Sequence, residues 1–476
     1  MNELDILIVL IITLPVCYFY WRAGIFICIA AGFLQDTLRK LVPNEPVYYS
    51  VMIVVFVAAT LLGAYRSGIR FTFAPIHSWN KVLRLPLNLF IGLVVIQSLL
   101  AYVKTNSLII AGIGLMAYLT PLPAILLGYQ FGNNEKNIIN FARVYLIISL
   151  MMISGVYLSY LGYEWDALRS VGVGLYAYSP SGDFLTLHSG FLRSPEIAAW
   201  HACTAICFAI LLVLIKQRWG IVYWLSGILI VFFGVAILLT GRRKFLMEIF
   251  IFVSVYVVLL IWFRKNALQS AFALIFALVL SFLVFTYALP DDFNSGISSY
   301  YQRGATVNKD AADRASLMSI ESFQYVIAEN GFLGSGAGTG SQGAQHFGGG
   351  ANLVGGSAEG GLGKVLAELG VPGLVLLLWL FVSLARYIGS ILINVKSDAS
   401  VRSTLAFWLL SFQAANASVY IIAHQVFGDI FVLVILGFSL GFVLAIPQMQ
   451  KAPIGAAIRR EIRHPQDEVI KKPLPI

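Results

Sequence analysis

Long apolar runs separated by short polar turns dominate the chain. Most runs reach the roughly 20 residues that a helix needs to cross a bilayer. None shows the alternating pattern, repeated over about ten residues, of a membrane β-barrel strand. We therefore predict an all-α, polytopic transmembrane helical bundle of about 12–13 spans. The predicted spans lie near 4–21, 24–36 (a short, weak candidate), 47–64, 86–103, 107–127, 139–161, 195–215, 219–239, 245–263, 267–289, 364–385, 404–422 and 430–448.

One polar stretch, residues 290–363, interrupts this pattern. It begins with charged residues, continues with an amphipathic helical pattern from Arg314 to Asn330, and becomes glycine-rich from Gly331. A loop of this length is usually functional or disordered, so we expect the chemistry here, with the glycine segment as a flexible lid. The predicted organisation is an N-terminal bundle (1–289), the long loop (290–363), C-terminal transmembrane helices (364–448) and a basic tail (449–476).

Composition and charge agree with a membrane protein. Only 12% of the residues are charged and mean hydropathy is +0.83, whereas soluble domains carry about 25% charged residues. The net charge of +9 reflects cations that collect on the cytoplasmic side of membrane helices. No interleaved aromatic and basic residues suggest nucleic acid as a partner. We predict a multi-pass protein of the bacterial cytoplasmic membrane, with the tail inside and the long loop outside.

One basic cluster breaks this charge rule. Counting spans back from the cytoplasmic tail places Arg242, Arg243 and Lys244 at the outer face, although Arg264 falls inside as expected. A span count wrong by one would remove the anomaly. The preferred interpretation is that these cations hold an anion, because basic residues at membrane depth are functional candidates. The side of the N-terminus depends on the weak span 24–36 and stays open.

The cysteines and the N-terminus offer no further chemistry. Four cysteines lie inside apolar runs, and Cys203 and Cys207 share one helix face. We interpret them as small packing residues rather than metal ligands or redox centres. The first run lacks a basic region before it and a cleavage site, so we expect a retained span rather than a signal peptide.

Polar residues near the outer face supply further binding candidates. A second outer segment, 162–194, brings Arg193 and Glu196 to the mouth of the span at 195, where Ser194 or Pro195 can start the helix. Glu196 is expected to bind sugar hydroxyls or to pair with Arg193. Arg303, in the charged beginning of the long loop, is another candidate for substrate binding.

The glycine-rich segment does not match a nucleotide-binding loop. In GSGAGTG, Thr339 occupies the third glycine position of G-x-G-x-x-G, and Val365 follows Gly363-Lys364 where a P-loop needs Ser or Thr. The glycines are consistent with a linker, or with a loop whose backbone approaches a bulky substrate.

Short motifs between Gly190 and Phe381 resemble those of the O-antigen polymerase and O-antigen ligase superfamily. The motifs are FLRSPEIAAWHA, LLTGRRKF, DRASL followed by NGFLGSGAG, and EGGLGKVLAELGVPG. The last two resemble the family's N-P-x-x-G-x-G and E-x-G-x-x-G elements. The resemblance implies a metal-independent, membrane-embedded glycosyltransferase without a cofactor, which moves a glycan from a polyprenyl diphosphate carrier at the outer leaflet.

The resemblance also implies roles for individual residues. The family's arginine at a span start falls on Arg242 or Arg243, and its loop-helix arginine falls on Arg314. Guanidinium groups can bind the diphosphate through paired hydrogen bonds and stabilise its developing charge. Where the ligase branch carries a histidine, this chain has Glu359, which either acts as a general base or stabilises the next helix. His346 is a lesser catalytic candidate.

The absent histidine favours a polymerase over a ligase, and the superfamily leaves both open. A transporter or flippase of lipid-linked glycans is the rival outside the enzyme class. We expect it to carry charges deep in several spans, whereas here the charges lie at span ends. The expected partners are the polyprenyl-diphosphate-linked glycan and the bilayer. The sugars, the oligomeric state and binding of a chain-length regulator stay open.

Overall fold

The computed structural model describes residues 3–69, 81–171, 176–178, 184–216, 220–264, 299–300, 320–341, 344, 360–395 and 401–449. Almost all of this part of the chain is helical, and nine of its helices are long and apolar enough to cross a membrane. The predicted all-α, multi-pass architecture is thereby confirmed. The predicted span 267–289 lies outside the described residues.

The helices are numbered in chain order. The N-terminal half contains α1 (Glu3–Phe19), α2 (Trp21–Leu41), α3 (Met52–Arg66), α4 (Lys81–Thr105), α5 (Leu108–Leu119), α6 (Pro121–Phe131) and α7 (Glu135–Tyr160). The remainder contains α8 (Pro195–Lys216), α9 (Ile221–Leu239), α10 (Lys244–Phe263), α11 (Ile320–Asn330), α12 (Gly361–Val395), α13 (Val401–Ile422) and α14 (Ile430–Ala445). Short 3₁₀ turns cover Val47–Val51, Asp166–Leu168, Gln425–Gly428 and Ile446–Gln448.

A small antiparallel hairpin lies between α7 and α8. Its strands are β1 (Tyr176–Tyr178) and β2 (Phe184–Thr186), with Ala177 paired to Leu185. The sequence did not predict it. The chain after β2, residues 187–194, runs across the end of the bundle to α8, and we call it the strap.

The bundle has two ends. We call the end that carries the strap and the α9–α10 turn the loop end, and the end that carries Arg264 and the start of α13 the tail end. At the loop end, the strap meets the α9–α10 turn, since the His188 amide donates to the Leu239 carbonyl at 3.3 Å. The α13–α14 connection reaches the same end, where Arg193 pairs with Asp429. At the opposite, tail end, Arg264 donates to Ser403 and Thr404 at 2.9 and 3.0 Å. The three cations before and at the start of α10 therefore lie at the end opposite Arg264, together with the strap.

Two helices form the centre of the bundle. The apolar windows of α8 and α14 are 78% and 72% buried by other protein segments, the largest values among the nine candidate spans in the described residues. Small residues allow α14 to approach α6 closely. A side chain at Gly441 would lie 2.6 Å from the Tyr129 amide nitrogen, which is the close packing typical of membrane helices.

One predicted span differs from the structure. The weak span 24–36 is the 21-residue helix α2, because its polar end makes the contacts with the strap described below. The predicted span 107–127 agrees with one candidate membrane span, Leu108–Phe131, in which Thr120 separates α5 from α6. Pro121 occupies the first turn of α6, where its missing N–H costs no hydrogen bond.

Candidate functional site

The basic cluster consists of Arg242, Arg243 and Lys244, at the start of α10. Gly241 makes the turn before it with φ of 66°, and a side chain there would collide with Leu187 of the strap. Lys244 donates to Glu196 Oε1, and Arg242 Nε lies 3.5 Å from Glu196 Oε2. Glu196 occupies the first turn of α8, where the helix dipole favours an acid. The structure thus joins three candidate residues, Arg242, Lys244 and Glu196.

Arg193 lies in a separate ion network. Its guanidinium contacts Asp429 Oδ2 at 2.7 Å, and its amide donates to Asp36 Oδ2 at 3.1 Å. Burial lowers the pKa of Arg193, but the nearby carboxylates of Asp429 and Asp36 outweigh it and raise the pKa overall. The expected pairing of Glu196 with Arg193 is therefore wrong, because Arg193 precedes α8 and reaches α14 instead. Arg193 holds the strap in place.

Lys40 of α2 also binds the strap, through two of its backbone carbonyls. Its ammonium donates to the carbonyls of Gly190 and Leu192, both at 2.7 Å, and the residue is only 2% exposed. Sequence reasoning predicted only a short, weak span for this run, because it ends in charged residues. The spacing of Asp36 and Lys40 on one face of α2 was the signal that both serve one partner.

His188 and Tyr300 form a second contact on the strap. The Tyr300 hydroxyl donates to the Thr186 carbonyl and lies 3.3 Å from His188 Nε2. Ser159 Oγ lies 3.0 Å from His188 Nδ1. A neutral imidazole with the proton on Nε2 satisfies both contacts, with Ser159 as donor. Burial lowers the pKa of His188 to about 4, which keeps the ring neutral near pH 7.

Acid is expected to destabilise the protein through His188. The unfolded side chain titrates near 6.5 and the folded one near 4, so the unfolded state binds the extra proton between these values. The contribution of His188 to the free energy of unfolding is therefore fully present above about pH 6.5 and is lost as the pH drops toward 4. We expect the thermal unfolding midpoint of His188→Gln to fall less over this range than that of the wild type. Equal falls in both proteins would contradict the assignment.

The glycine segment is described from Gly331 to Ser341; Phe332 and Leu333 at its beginning are exposed, whereas the chain from Gly334 to Ser341 is packed inside the bundle. It fills a break in α12 at Gly370, where φ is 70°. The Val371 amide turns away to the Phe332 carbonyl at 3.0 Å, and Pro372 has no N–H to donate. Amides of the segment then take the carbonyls left free in α12, with Ser335 N to Ala367 O at 2.8 Å and Gly336 N to Glu368 O at 3.0 Å.

The other side of the glycine segment contacts α4 and α5. The Ala337 amide donates to the Gln97 carbonyl at 3.0 Å, the Gln97 side chain donates to Leu333 O at 2.7 Å, and Lys104 reaches Gly334 O at 3.2 Å. Irregular backbone at this depth is stable only where protein covers it. The expectation of a flexible lid does not hold for 331–341. The predicted end of α11 at Asn330–Gly331 agrees with the structure.

Glu368 was missed by sequence reasoning. It is fully buried in α12, and its carboxylate accepts from the Tyr118 hydroxyl at 2.7 Å and from the Gly340 amide at 3.0 Å. The carboxylate therefore fixes the glycine segment to α5. Its place as the acid of the E-x-G-x-x-G element was the available signal.

Glu248 is a second buried acid inside a span. It follows Lys244 by one turn of α10, is fully buried, and faces the Cys203 thiol of α8. Neither carboxylate oxygen has a hydrogen bond in the described structure. All four cysteines are buried free thiols, which agrees with a packing role for Cys203 and Cys207.

Four candidates lie outside the described residues: Arg303, Arg314, His346 and Glu359. Their roles stay predictions. Within the part of the chain that the structure describes, no three His, Cys, Asp or Glu side chains converge as a metal site.

Comparison with known proteins does not assign the chain to a family. No protein-family model matches the chain, and no curated protein sequence matches it. The fold and the clusters at the loop end define a multi-pass helical membrane protein. The superfamily resemblance rests on the residues between Gly190 and Phe381, and membership stays a prediction.

Proposed function

We propose that the protein is a membrane glycosyltransferase that polymerises a polyprenyl-diphosphate-linked oligosaccharide at the outer face of the bacterial cytoplasmic membrane. The observation that carries the proposal is the basic cluster, Arg242, Arg243 and Lys244, at the loop end of an apolar span. Arg242 and Lys244 keep 24% and 21% of their side chains exposed, so both cations reach the surface of the described part of the bundle.

A lipid diphosphate suits this position. Its hydrocarbon chain stays in the bilayer, which leaves the diphosphate at the level of helix ends. Two features of the α10 start favour such an anion: the cationic side chains and the N-terminal end of the helix dipole. The positive charge of these cations also stabilises the negative charge that develops on the leaving diphosphate.

In the proposed reaction, an acceptor hydroxyl oxygen attacks the anomeric carbon of the donor sugar. The bond from that carbon to the diphosphate oxygen breaks, and the lipid diphosphate leaves with the electron pair. Glu359 takes the proton of the acceptor hydroxyl in this proposal, with His346 as the lesser alternative. Arg314 binds the diphosphate together with the basic cluster, and no cofactor is required.

A transporter or flippase of lipid-linked glycans is the second candidate. Glu248 supports it, because a buried acid without a hydrogen bond inside a span is a feature of substrate and ion pathways. A ligase, which transfers the glycan to a different acceptor, remains an alternative within the enzyme class.

One experiment distinguishes these functions. The purified full chain, reconstituted in vesicles, is incubated with lipid-linked oligosaccharide in the presence of a chelator. We expect longer lipid-linked products. Transfer to another acceptor would instead identify a ligase, and movement of the substrate across the membrane without bond formation would identify a transporter. Absence of new glycosidic bonds would contradict the proposal.

A further inference from the structure

Two arginines near the N-terminus of the chain lie over aromatic rings. The Arg66 guanidinium carbon lies 4.5 Å from the centre of the Phe19 ring and 5.3 Å from the centre of the Tyr18 ring. The Arg22 guanidinium carbon lies 5.4 Å from the centre of the Trp21 ring. These distances fall within the range of a cation–π interaction. We call these five residues the arginine–aromatic corner.

The first three helices meet at this corner. Tyr20 alone separates α1 from α2, and Arg66 ends α3. A side chain at Gly63 would lie 2.5 Å from the Tyr18 carbonyl oxygen, so α3 crosses the end of α1 in close contact one turn before Arg66. Lys40, near the other end of α2, binds the strap at the loop end. The corner therefore lies at the tail end, which is the predicted cytoplasmic side.

The positive charge of the corner has no acidic partner in the described part of the chain. Arg22 and Arg66 are both exposed, and the contacts of their guanidinium groups with described residues are those with the rings. Arg193, in contrast, pairs with Asp429. A ring face attracts a cation but has no net negative charge. Two cations beside one turn therefore favour an anion from outside the chain.

We propose that the arginine–aromatic corner binds the phosphate group of an anionic phospholipid, such as phosphatidylglycerol, at the tail end of the bundle. A guanidinium group binds phosphate through paired hydrogen bonds, and stacking on a ring orients its plane. Tyr20 and Tyr65, which are 70% and 65% exposed, add aromatic surface of the kind that membrane proteins place at headgroup level. The inference does not depend on the proposed glycosyltransferase activity.

The surface beside the corner suits a lipid better than a free phosphate ion. Ile12, Val16 and Phe19 are exposed, and their spacing of four and three residues places them on one face of α1. This apolar face leads along the helix to the ring beneath Arg66. An acyl chain lies along it when the headgroup contacts the arginines, whereas a phosphate ion gains nothing from it.

Loss of either positive charge is expected to weaken lipid binding. Arg22→Gln and Arg66→Gln should each raise the Kd for phosphatidylglycerol about fivefold, and the double variant about 25-fold. Arg66→Lys keeps the charge but loses the planar group that stacks on Phe19 and pairs with phosphate. Its Kd should lie between those of the wild type and Arg66→Gln.

The experiment titrates the purified full chain with phosphatidylglycerol or with zwitterionic phosphatidylcholine and measures the first bound lipid by native mass spectrometry. Arg143→Gln is the matched control, since Arg143 is an exposed arginine of α7 that contacts Asn140 rather than a ring. Thermal unfolding in detergent without added lipid verifies that each variant is folded. Added phosphatidylglycerol should then raise the unfolding midpoint of the wild type more than that of the double variant.

Each outcome decides for or against the site. Tighter binding of phosphatidylglycerol than of phosphatidylcholine, weakened in the double variant and unchanged in Arg143→Gln, supports it. Equal weakening in Arg143→Gln would show a general attraction between cations and anionic lipid, and equal affinity of the wild type for both lipids would show no headgroup recognition. Either result overturns the proposal. Displacement of the lipid by inorganic phosphate, but not by chloride of equal ionic strength, would assign the corner to free phosphate instead.

Discussion

Arg242→Ala is expected to lower the rate of glycan transfer by about 100-fold or more. A fixed donor aimed at developing charge typically contributes on the order of 10²–10³ in kcat, and Arg242 belongs to the cluster proposed to hold the diphosphate. The residue contacts Glu196 from the side chain's Nε at 3.5 Å and keeps 24% of its side chain exposed. Arg242→Lys keeps the charge but loses the paired hydrogen bonds, and we expect an intermediate rate.

The control for this prediction is Arg143→Ala. Arg143 is an exposed arginine of α7 that donates to Asn140 at 3.2 Å, and its removal should leave the rate unchanged. The measurement is the initial rate of product formation with purified variants of equal unfolding temperature. A rate for Arg242→Ala close to that of Arg143→Ala would remove the basic cluster from the mechanism.

Gly114→Ala is expected to destabilise the protein by about 2–3 kcal/mol, in the upper part of the range of about 1–3 kcal/mol for overpacking. Gly114 lies in α5 directly against the glycine segment. An added Cβ would lie 2.6 Å from the Gly338 amide nitrogen and closer still to the Ala337 carbonyl group. These are backbone atoms, which cannot rotate away as a side chain can.

Gly112 provides a matched control two residues earlier on the same helix. A Cβ there meets no atom within 4 Å, and alanine is favoured over glycine inside a helix by up to about 1 kcal/mol. Gly112→Ala should therefore be neutral or stabilising. Thermal unfolding in detergent compares the pair. If both substitutions shift the midpoint equally, the glycine segment does not press on α5 as described.

The apolar pattern predicted much of the fold because helix length is set by bilayer thickness. The start of α8 at Pro195 and the end of α11 at Asn330 followed from capping residues. The pattern was less informative at α2, for which it predicted only a short, weak span at 24–36 because the apolar run ends in charged residues. Their partners lie in the strap, about 150 residues later, and local periodicity carries no information about them.

The site was predictable in part. The anomalous position of Arg242 and Lys244 pointed to a functional cluster, but their partner was assigned to the wrong residue. Which carboxylate a cation meets depends on how helices pack, and Arg193 was nearer in sequence to Glu196. The glycine segment was read as flexible because glycine serves both mobile linkers and tight backbone contacts. Only the helix break at Gly370, which leaves carbonyls of α12 free to accept hydrogen bonds, shows that these glycines make tight backbone contacts.

Glu368 shows why buried acids escape such reasoning. A single acid in an apolar run does not prevent the prediction of a span, and nothing nearby in the sequence indicates its partners. The Tyr118 hydroxyl comes from a helix 250 residues earlier. An intramembrane acid is costly, so an acid in an apolar run is a reason to look for distant partners, although only the structure shows that Glu368 has them and that Glu248 has no hydrogen bond within the described residues.

The contact between Gln97 and Leu333 has a consequence for biosynthesis. The two residues are 236 positions apart, which corresponds to roughly ten to fifty seconds of translation at about 5–20 residues per second. Helix α4 is therefore made long before the carbonyl that receives its Gln97 amide. A polar side chain in lipid is unfavourable until its partner is present. We therefore expect the early helices to need a chaperone or insertase until the later segments have been synthesised. Chains truncated before Leu333 should accumulate as substrates for membrane proteases.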